Sequence, residues 1–106
     1  MSNLKQATED TFAEEIKKGI VLVDFYADWC GPCRMIAPHL EALSKELEGQ
    51  ASIIKLDVDH AQRIASDYEV TSIPTLILFR DGKETGRVVG VRDQKALKEF
   101  ILSAKK

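Results

Sequence analysis

The sequence predicts an α/β protein in which a central mixed sheet of four or five strands has helices on both faces. Residues 20–26 and 52–58 are two nearly continuous apolar runs, as expected of central strands that are covered on both sides. A helical pattern separates them, and a strand-helix-strand unit implies parallel pairing with a right-handed crossover. A hairpin pattern after Pro74 adds antiparallel strands, which makes the sheet mixed.

The first helix is expected before the first central strand. Thr8 or Thr11 can cap it, because a threonine hydroxyl accepts one of the free N–H groups of a first turn. Phe12 and Ile16 have the spacing that places two side chains on the same helix face. Gly19 is expected to end this helix.

The second helix is expected to run from Cys33 to a stop at Gly49. It contains Pro38, which lacks an N–H donor and is therefore expected to kink the helix. The apolar side chains that repeat at helical spacing are Ile36, Leu40, Leu43 and Leu47.

Two shorter segments complete the first part of the chain. Residues 61–68 are expected to form a short third helix with Ile64 and Tyr68 turned inward. Residues 4–6 are few and weakly patterned, so whether they add an edge strand stays open. The sheet therefore has four strands without that segment and five with it.

The last part of the chain predicts a hairpin followed by a helix. Residues 75–79 and 85–89 are strand-like, and Asp81-Gly82 between them is a strong signal for a hairpin turn. Asp93 then caps the final helix. The residues expected to share one face of this helix are Leu97, Phe100, Ile101 and Ala104.

Length and composition indicate a single domain that spans residues 1–106. The chain has 106 residues, of which 44% are hydrophobic and 30% charged, as in an ordinary globular protein. Its formal net charge is -2 and its basic residues are not clustered, so no nucleic-acid partner is expected. Residues 1–6 contain no apolar signal region, and the apolar run at 20–23 is too short to cross a membrane. We therefore expect a cytoplasmic protein, whose thiols are normally kept reduced.

The two cysteines of the chain stand together in Trp29-Cys30-Gly31-Pro32-Cys33, where the first central strand gives way to a helix. The first N–H groups of a helix lack intrahelical partners and favour an anion. Cys30 is therefore placed where its thiolate is favoured, and Cys33 is close enough to form a disulfide with it. This arrangement predicts redox catalysis.

Four other uses of the cysteine pair explain it less well. A structural disulfide would close a very small loop, which the chain-entropy model values at about 2 kcal/mol. A structural zinc site needs four ligands, and beyond the cysteines only His39 and His60 remain, at spacings that match none of the usual ligand pairs. We expect both histidines at the surface. Haem attachment would require histidine where Arg34 stands. Inert core thiols do not fit the Gly-Pro pair at a strand-helix junction. No metal and no cofactor are expected.

The cysteine motif, together with Ile73-Pro74-Thr75 downstream, closely resembles the thioredoxin family, and the resemblance covers essentially the whole chain. It implies the thioredoxin fold and a protein-disulfide reductase that takes part in electron transport and cell redox homeostasis. It also implies that Cys30 attacks a substrate disulfide and that Cys33 resolves the mixed disulfide.

The direction of the chemistry and the electron source follow from further features. No histidine lies between Cys30 and Cys33 to over-stabilise the thiolate, which favours reduction of other proteins' disulfides. A dithiol oxidase or isomerase, or a binding module that uses the same fold as a subunit or holdase, are the alternatives. No glycine-rich nucleotide loop occurs. The resemblance therefore implies an external NADPH-dependent flavoprotein, thioredoxin reductase; we expect the chain itself to be a monomer.

Asp24 interrupts an apolar strand, where an isolated buried carboxylate is costly. It is either a partly solvated strand residue or a carboxyl beneath the active site, with a raised pKa, that exchanges a proton with Cys33. The resemblance favours the second role. Lys55, the only basic residue in the neighbouring strand, is expected near Asp24, where it would moderate the ionisation of the carboxyl.

The resemblance also implies a surface on which substrates dock. Ile73-Pro74 looks like the family's cis-proline turn facing the cysteines, which would expose the backbone of Ile73 to an extended substrate segment. Each of these residues also has a purely structural alternative. Pro74 could be an ordinary proline at the start of a strand, Val89 and Val91 could belong to the core, and Gly90 could allow a close backbone approach. The expected docking rim consists of Trp29, Gly31, Pro32, Ile73, Pro74, Val89, Gly90 and Val91.

Overall fold

A computed structural model of the chain describes residues 4–106 and contains a five-stranded mixed sheet. The sheet order is β1-β3-β2-β4-β5, with β3 parallel to β1 and β2, and with β4 antiparallel to β2 and β5. The predicted mixed sheet is confirmed, and the short N-terminal segment does add the edge strand. No apolar signal region is expected in residues 1–6, and residues 1–3 of that segment lie outside the described residues. The strands are β1 (Lys5–Ala7), β2 (Ile20–Tyr26), β3 (Ser52–Asp57), β4 (Thr75–Arg80) and β5 (Lys83–Val89).

In the described part of the chain, four α-helices connect and follow these strands, and a 3₁₀ turn at Ser103–Lys105 extends the last of them. Within residues 4–106, the helices are all too short or too polar to cross a membrane. The helices are α1 (Phe12–Glu15), α2 (Gly31–Glu46), α3 (Gln62–Asp67) and α4 (Gln94–Leu102).

The first helix is shorter than predicted, and the expectation that Gly19 ends it is wrong. The helical hydrogen bonds stop near Ile16. Gly19 instead lies directly before β2. Its φ is 73°, and its N–H donates to Asp81 Oδ1 at 2.8 Å. At the other end, the Thr11 side chain makes no capping bond, and the Thr8 hydroxyl accepts the Thr11 N–H at 3.2 Å.

The core has two layers, one on each face of the sheet, because alternate residues of a strand point to opposite sides. Leu22 of β2 packs under α2 and α4, whereas its neighbour Val23 faces α1 and α3. The predicted helices on both faces are therefore confirmed. The layer under α2 and α4 includes Leu22, Ile36, Leu40, Leu43, Leu76 and Leu97, and the other layer includes Phe12, Val23, Phe25, Leu56, Ala65 and Phe79.

The hairpin turn and the cap of α4 form as predicted. Asp81 and Gly82 have φ values of 51° and 87°, the left-handed pair that a type I′ hairpin turn requires. Asp93 caps α4, since its Oδ1 accepts the Ala96 N–H at 2.8 Å. Both signals depend only on residues close in sequence, which is why they could be recognised in the sequence.

The cap of α4 supports a first testable prediction. Asp93→Ala should lower the free energy of unfolding by about 1 kcal/mol, because the Ala96 N–H loses its acceptor. Urea unfolding of the oxidised protein measures this difference. Glu99→Ala, at an exposed position on the same helix, is the matched control, and an equal effect of the two substitutions would contradict the capping role.

The sheet topology brings distant parts of the chain to one edge. Because β2 and β4 are antiparallel, the carboxyl end of β2 lies beside the amino end of β4, where Phe25 pairs with Thr75. The cysteine motif follows β2 and Pro74 precedes β4. The fold therefore places these two segments next to each other.

Candidate active site

Cys30 is the N-cap residue of α2. Its backbone is extended, with φ −88° and ψ 111°, and its Sγ accepts the Cys33 N–H at 3.1 Å. Pro32, at the second helical position, has no N–H to satisfy and a φ that suits a first turn. The helix terminus thus directs a hydrogen-bond donor at this sulfur, which favours negative charge on it when the pair is reduced.

The two cysteines form a disulfide, with Cα atoms 5.3 Å apart. Each of the two cysteines is only 4% exposed, so both are buried to the same extent. Exposure therefore does not distinguish Cys30 from Cys33. Their positions do, because Cys30 accepts the hydrogen bond at the start of the helix and Cys33 lies inside its first turn.

The Ile73-Pro74 peptide is cis and lies against the cysteines. The carbonyl oxygen of Ile73 is 3.9 Å from Cys30 Sγ. Pro74 is itself buried, Ile73 is half-buried, and the Pro74 carbonyl accepts the Gly90 N–H at 2.9 Å. These contacts link three separate stretches of the expected docking rim, since the Ile73-Pro74 segment touches both the cysteine motif and Gly90.

The tryptophan and the two valines of the rim lie at the surface and not in the core. Trp29, Val89 and Val91 are 69%, 48% and 38% exposed. Gly90 has a φ of 93°, a backbone conformation that L side chains rarely adopt, so this conformation and not a close backbone approach explains the glycine.

Asp59 holds the exposed tryptophan in place and was not identified from the sequence. The Trp29 Nε1–H donates to Asp59 Oδ2 at 2.9 Å. Asp59 lies just after β3, on another part of the chain. Only the spatial neighbourhood of the two loops reveals the pairing, and no local pattern in the sequence indicates it.

Asp24 lies in the middle of β2, on the face covered by α2, and is 4% exposed. Its Oδ1 is buried without a hydrogen-bond partner among the described residues. Burial raises the pKa of Asp24 from 3.8 to about 7, an effect that the positive charge of Lys55 partly offsets. The alternative of a partly solvated strand residue is therefore wrong.

Lys55 is the register partner of Asp24 on the neighbouring strand β3, as the sequence suggested. It is 9% exposed and its Nζ lies 5.6 Å from the centroid of the Tyr26 ring, a cation–π contact. The Tyr26 hydroxyl in turn accepts a hydrogen bond from Gln6 Nε2 at 2.8 Å, which ties β1 to the site. The role of Tyr26 as a support for Lys55 is a second feature that the sequence did not show.

A cavity of about 410 Å³ lies beneath the cysteines, between the sheet and α2. Asp24, Cys33 and Lys55 all line it, so these three residues border the same cavity. The complete lining is Asp24, Tyr26, Ala27, Asp28, Cys33, Arg34, Ala37, Pro38, Glu41 and Lys55.

Each of the two histidines lies beside a polar side chain other than a cysteine. His60 is exposed, and its Nδ1 lies 3.0 Å from Asp57 Oδ2, a hydrogen bond that raises the pKa of His60. His39 is half-buried and its Nδ1 lies 3.4 Å from Gln94 Oε1. Across residues 4–106, no three His, Cys, Asp or Glu side chains are grouped as a metal site would need.

Comparisons with known proteins agree with this geometry. The family model Thioredoxin matches residues 3–103. The chain is 53% identical to a thioredoxin of Chlamydia muridarum over 94 residues, which cover 89% of this chain and 91% of that protein. It is 49% identical to a thioredoxin of Staphylococcus aureus over 96 residues, which cover 91% and 92% of the two chains.

A cysteine pair at the N-terminus of a helix, on a mixed sheet of this topology, defines a thiol-disulfide oxidoreductase. The chain belongs to the thioredoxin family. Its activity is protein-disulfide reduction by the Cys30–Cys33 pair, and the family implies disulfide-containing substrates and a reductase that restores the dithiol.

Proposed function

We propose that residues 1–106 form a single domain that reduces protein disulfides in the cytoplasm, with Cys30 as the attacking group and Cys33 as the resolving group. The observation that carries this assignment is the hydrogen bond from the Cys33 N–H to Cys30 Sγ at 3.1 Å. A thiolate at that position keeps the same donor, which lowers the cost of its charge.

The cycle moves two electrons from the dithiol to the substrate. The Cys30 thiolate attacks one sulfur of the substrate disulfide, and the other sulfur leaves as a thiolate. Cys33 then loses its proton and attacks Cys30 Sγ. The substrate's second sulfur leaves, the substrate is fully reduced, and the Cys30–Cys33 disulfide remains.

Asp24 is the proposed acceptor of the Cys33 proton. It shares the cavity with Cys33, and a carboxyl with a pKa of about 7 can both take and return a proton near neutral pH. The positive charge of Lys55 lowers the pKa of Asp24 and so limits the effect of burial. Lys55 is therefore proposed as a positioning residue that tunes the carboxyl.

The substrate is proposed to bind across the docking rim as an extended segment. The Ile73 backbone is available beside Cys30, and strand addition would align a substrate disulfide with the sulfur. Trp29, Gly31, Pro32 and the segment from Val89 to Val91 surround this position with a mostly apolar surface. Such a surface accepts many protein partners, because apolar contact is not directional.

The rim supports a second prediction. Val91→Asp should raise the KM for a protein disulfide about ten-fold and leave reduction of a small aromatic disulfide nearly unchanged, because only a protein substrate covers this exposed side chain. Steady-state assays with insulin and with the small disulfide separate the two effects. An equal loss with both substrates would place Val91 in the chemistry and contradict its role in docking.

The electron donor is proposed to be an NADPH-dependent flavoprotein, thioredoxin reductase, acting on a monomeric chain. The experiment that tests the whole proposal is insulin reduction with NADPH and such a reductase, with NADPH oxidation followed by absorbance. Turnover that requires all three proteins and NADPH is the expected result. Reduction of the chain by the flavoprotein without transfer to insulin would contradict the proposed substrate class.

A further inference from the structure

We propose that the cavity between β2, β3 and α2 is a binding site for a small neutral molecule that ends in a carboxamide group. The volume of about 410 Å³ lies in the range of pockets that hold small ligands. Its buried part is formed by Asp24, Ala27, Cys33 and Lys55, and its outer part includes the exposed residues Asp28, Arg34 and Pro38. The proposal concerns binding alone and stands independently of the reductase cycle.

The polar groups in the buried part of the cavity select the head group. Asp24 Oδ1 has no hydrogen-bond partner within residues 4–106, and a buried acceptor without a donor is costly. Lys55 is its register partner and carries an ammonium with three N–H donors. A carboxamide presents an N–H donor and a carbonyl acceptor on one carbon, so it can serve Asp24 and Lys55 at the same time.

The charges around the cavity favour a neutral head group over a charged one. Asp24, Asp28 and Glu41 are acidic, whereas Arg34 and Lys55 are basic, and all five line the same space. A cationic head group that reaches Asp24 also meets the ammonium of Lys55. An anionic head group that reaches Lys55 also meets the carboxyl of Asp24. Each charged head group would in addition lose its hydration on burial, a cost that a neutral amide largely avoids.

The remaining walls select the body of the ligand. Ala27, Ala37 and Pro38 contribute small apolar surfaces, and Tyr26 contributes its ring. A flat apolar group such as a phenyl ring suits walls of this kind, with the polar groups left to orient one end. Benzamide combines this body with the carboxamide and is therefore the simplest probe.

The probe series benzamide, benzamidine and benzoate keeps one ring and changes the charge and the hydrogen-bonding groups of the head group at neutral pH. Each compound is titrated into the full oxidised chain, and binding is followed by amide ¹H–¹⁵N NMR. Benzamide should bind about ten-fold more tightly than either charged analogue, with shifts centred on Asp24, Ala37 and Lys55. Equal or tighter binding of a charged analogue, or shifts centred on Trp29 at the rim, would overturn the proposal.

Two substitutions test the site in different ways. Asp24→Leu removes the acceptor and keeps a side chain of similar length, and Ala37→Leu fills the cavity while Asp24 remains. Each should weaken benzamide binding about ten-fold, because the first removes a hydrogen bond and the second removes space. Asp67→Asn, on α3 across the sheet, is the matched control and should leave the affinity unchanged. Unchanged affinity in Ala37→Leu, whose carboxyl site is intact, would by itself refute binding in this cavity.

Discussion

Cys30→Ser is expected to abolish the reduction of protein disulfides, with a loss of at least about three orders of magnitude in turnover. A serine hydroxyl is not ionised at neutral pH and cannot form the mixed disulfide, even though it would still cap α2. The folded state should therefore persist while the chemistry is lost. Insulin reduction with dithiothreitol as electron source measures the effect, and circular dichroism checks the fold.

Cys33→Ser is the matched partner of that variant, since it keeps the attacking sulfur and removes only the resolving one. It should accumulate a covalent adduct with the substrate, visible on a non-reducing gel and released by dithiol. If Cys30→Ser retained full turnover, or if the adduct formed in Cys30→Ser and not in Cys33→Ser, the two roles would have to be exchanged or abandoned.

Asp24→Asn is expected to stabilise the protein increasingly as the pH rises. The pKa of Asp24 is about 7 in the fold against 3.8 in the unfolded chain, so the folded state binds the proton more tightly. Between these two values the unfolded state holds fewer protons, and the stability of the native protein falls with rising pH. The difference between the two pKa values corresponds to a contribution of about 4 kcal/mol to the free energy of unfolding of the native protein. This contribution is fully present below about pH 4 and is lost as the pH rises through about 7.

The prediction concerns the difference between variant and native protein, because other groups titrate over the same range. Urea unfolding of both oxidised proteins at several pH values should show an advantage of the variant that grows by about 4 kcal/mol between pH 4 and pH 8. Asp10→Asn, at an exposed position, reports the effect of a surface substitution. A constant advantage across this range would show that Asp24 is not held neutral by burial.

The same variant separates stability from chemistry. Since an amide cannot accept the Cys33 proton, release of substrate from the mixed disulfide should slow near neutral pH and lose its titration around pH 7. Stopped-flow measurement of that step gives its pH profile. An unchanged profile would remove Asp24 from the proton transfer and leave only its effect on stability.

Much of the fold could be predicted from the sequence, because it depends on residues that are close together in the chain. The turn at Asp81-Gly82 needs two left-handed residues, and an Asp-Gly pair is a sequence that supplies them. The apolar run of β2 indicated a strand buried on both faces, and Asp24 was noticeable because it interrupts that run. The position of the cysteine motif at a helix N-terminus could be predicted, because the end of the strand and the start of the helix are both visible in the adjacent residues.

Three features that depend on distant contacts did not follow from the sequence. Strand β1 has three residues and forms because β3 offers it a parallel edge, which the pattern of residues 5–7 does not reveal. The end of α1 was misplaced because Gly19 serves a contact with Asp81, far along the chain. The hydrogen bond between Trp29 and Asp59 likewise joins two loops that only the finished sheet brings together.

The reciprocal contact between Gly19 and the hairpin turn has a practical consequence. The Gly19 N–H donates to Asp81 Oδ1 at 2.8 Å and its carbonyl accepts the Asp81 N–H at 2.9 Å, which fastens the turn to the start of β2. This turn lies at the end of the strands opposite to the cysteine motif. A tether attached to Lys83, beside the turn, would orient immobilised molecules with their reactive sulfurs toward the solution and leave the electron path unobstructed.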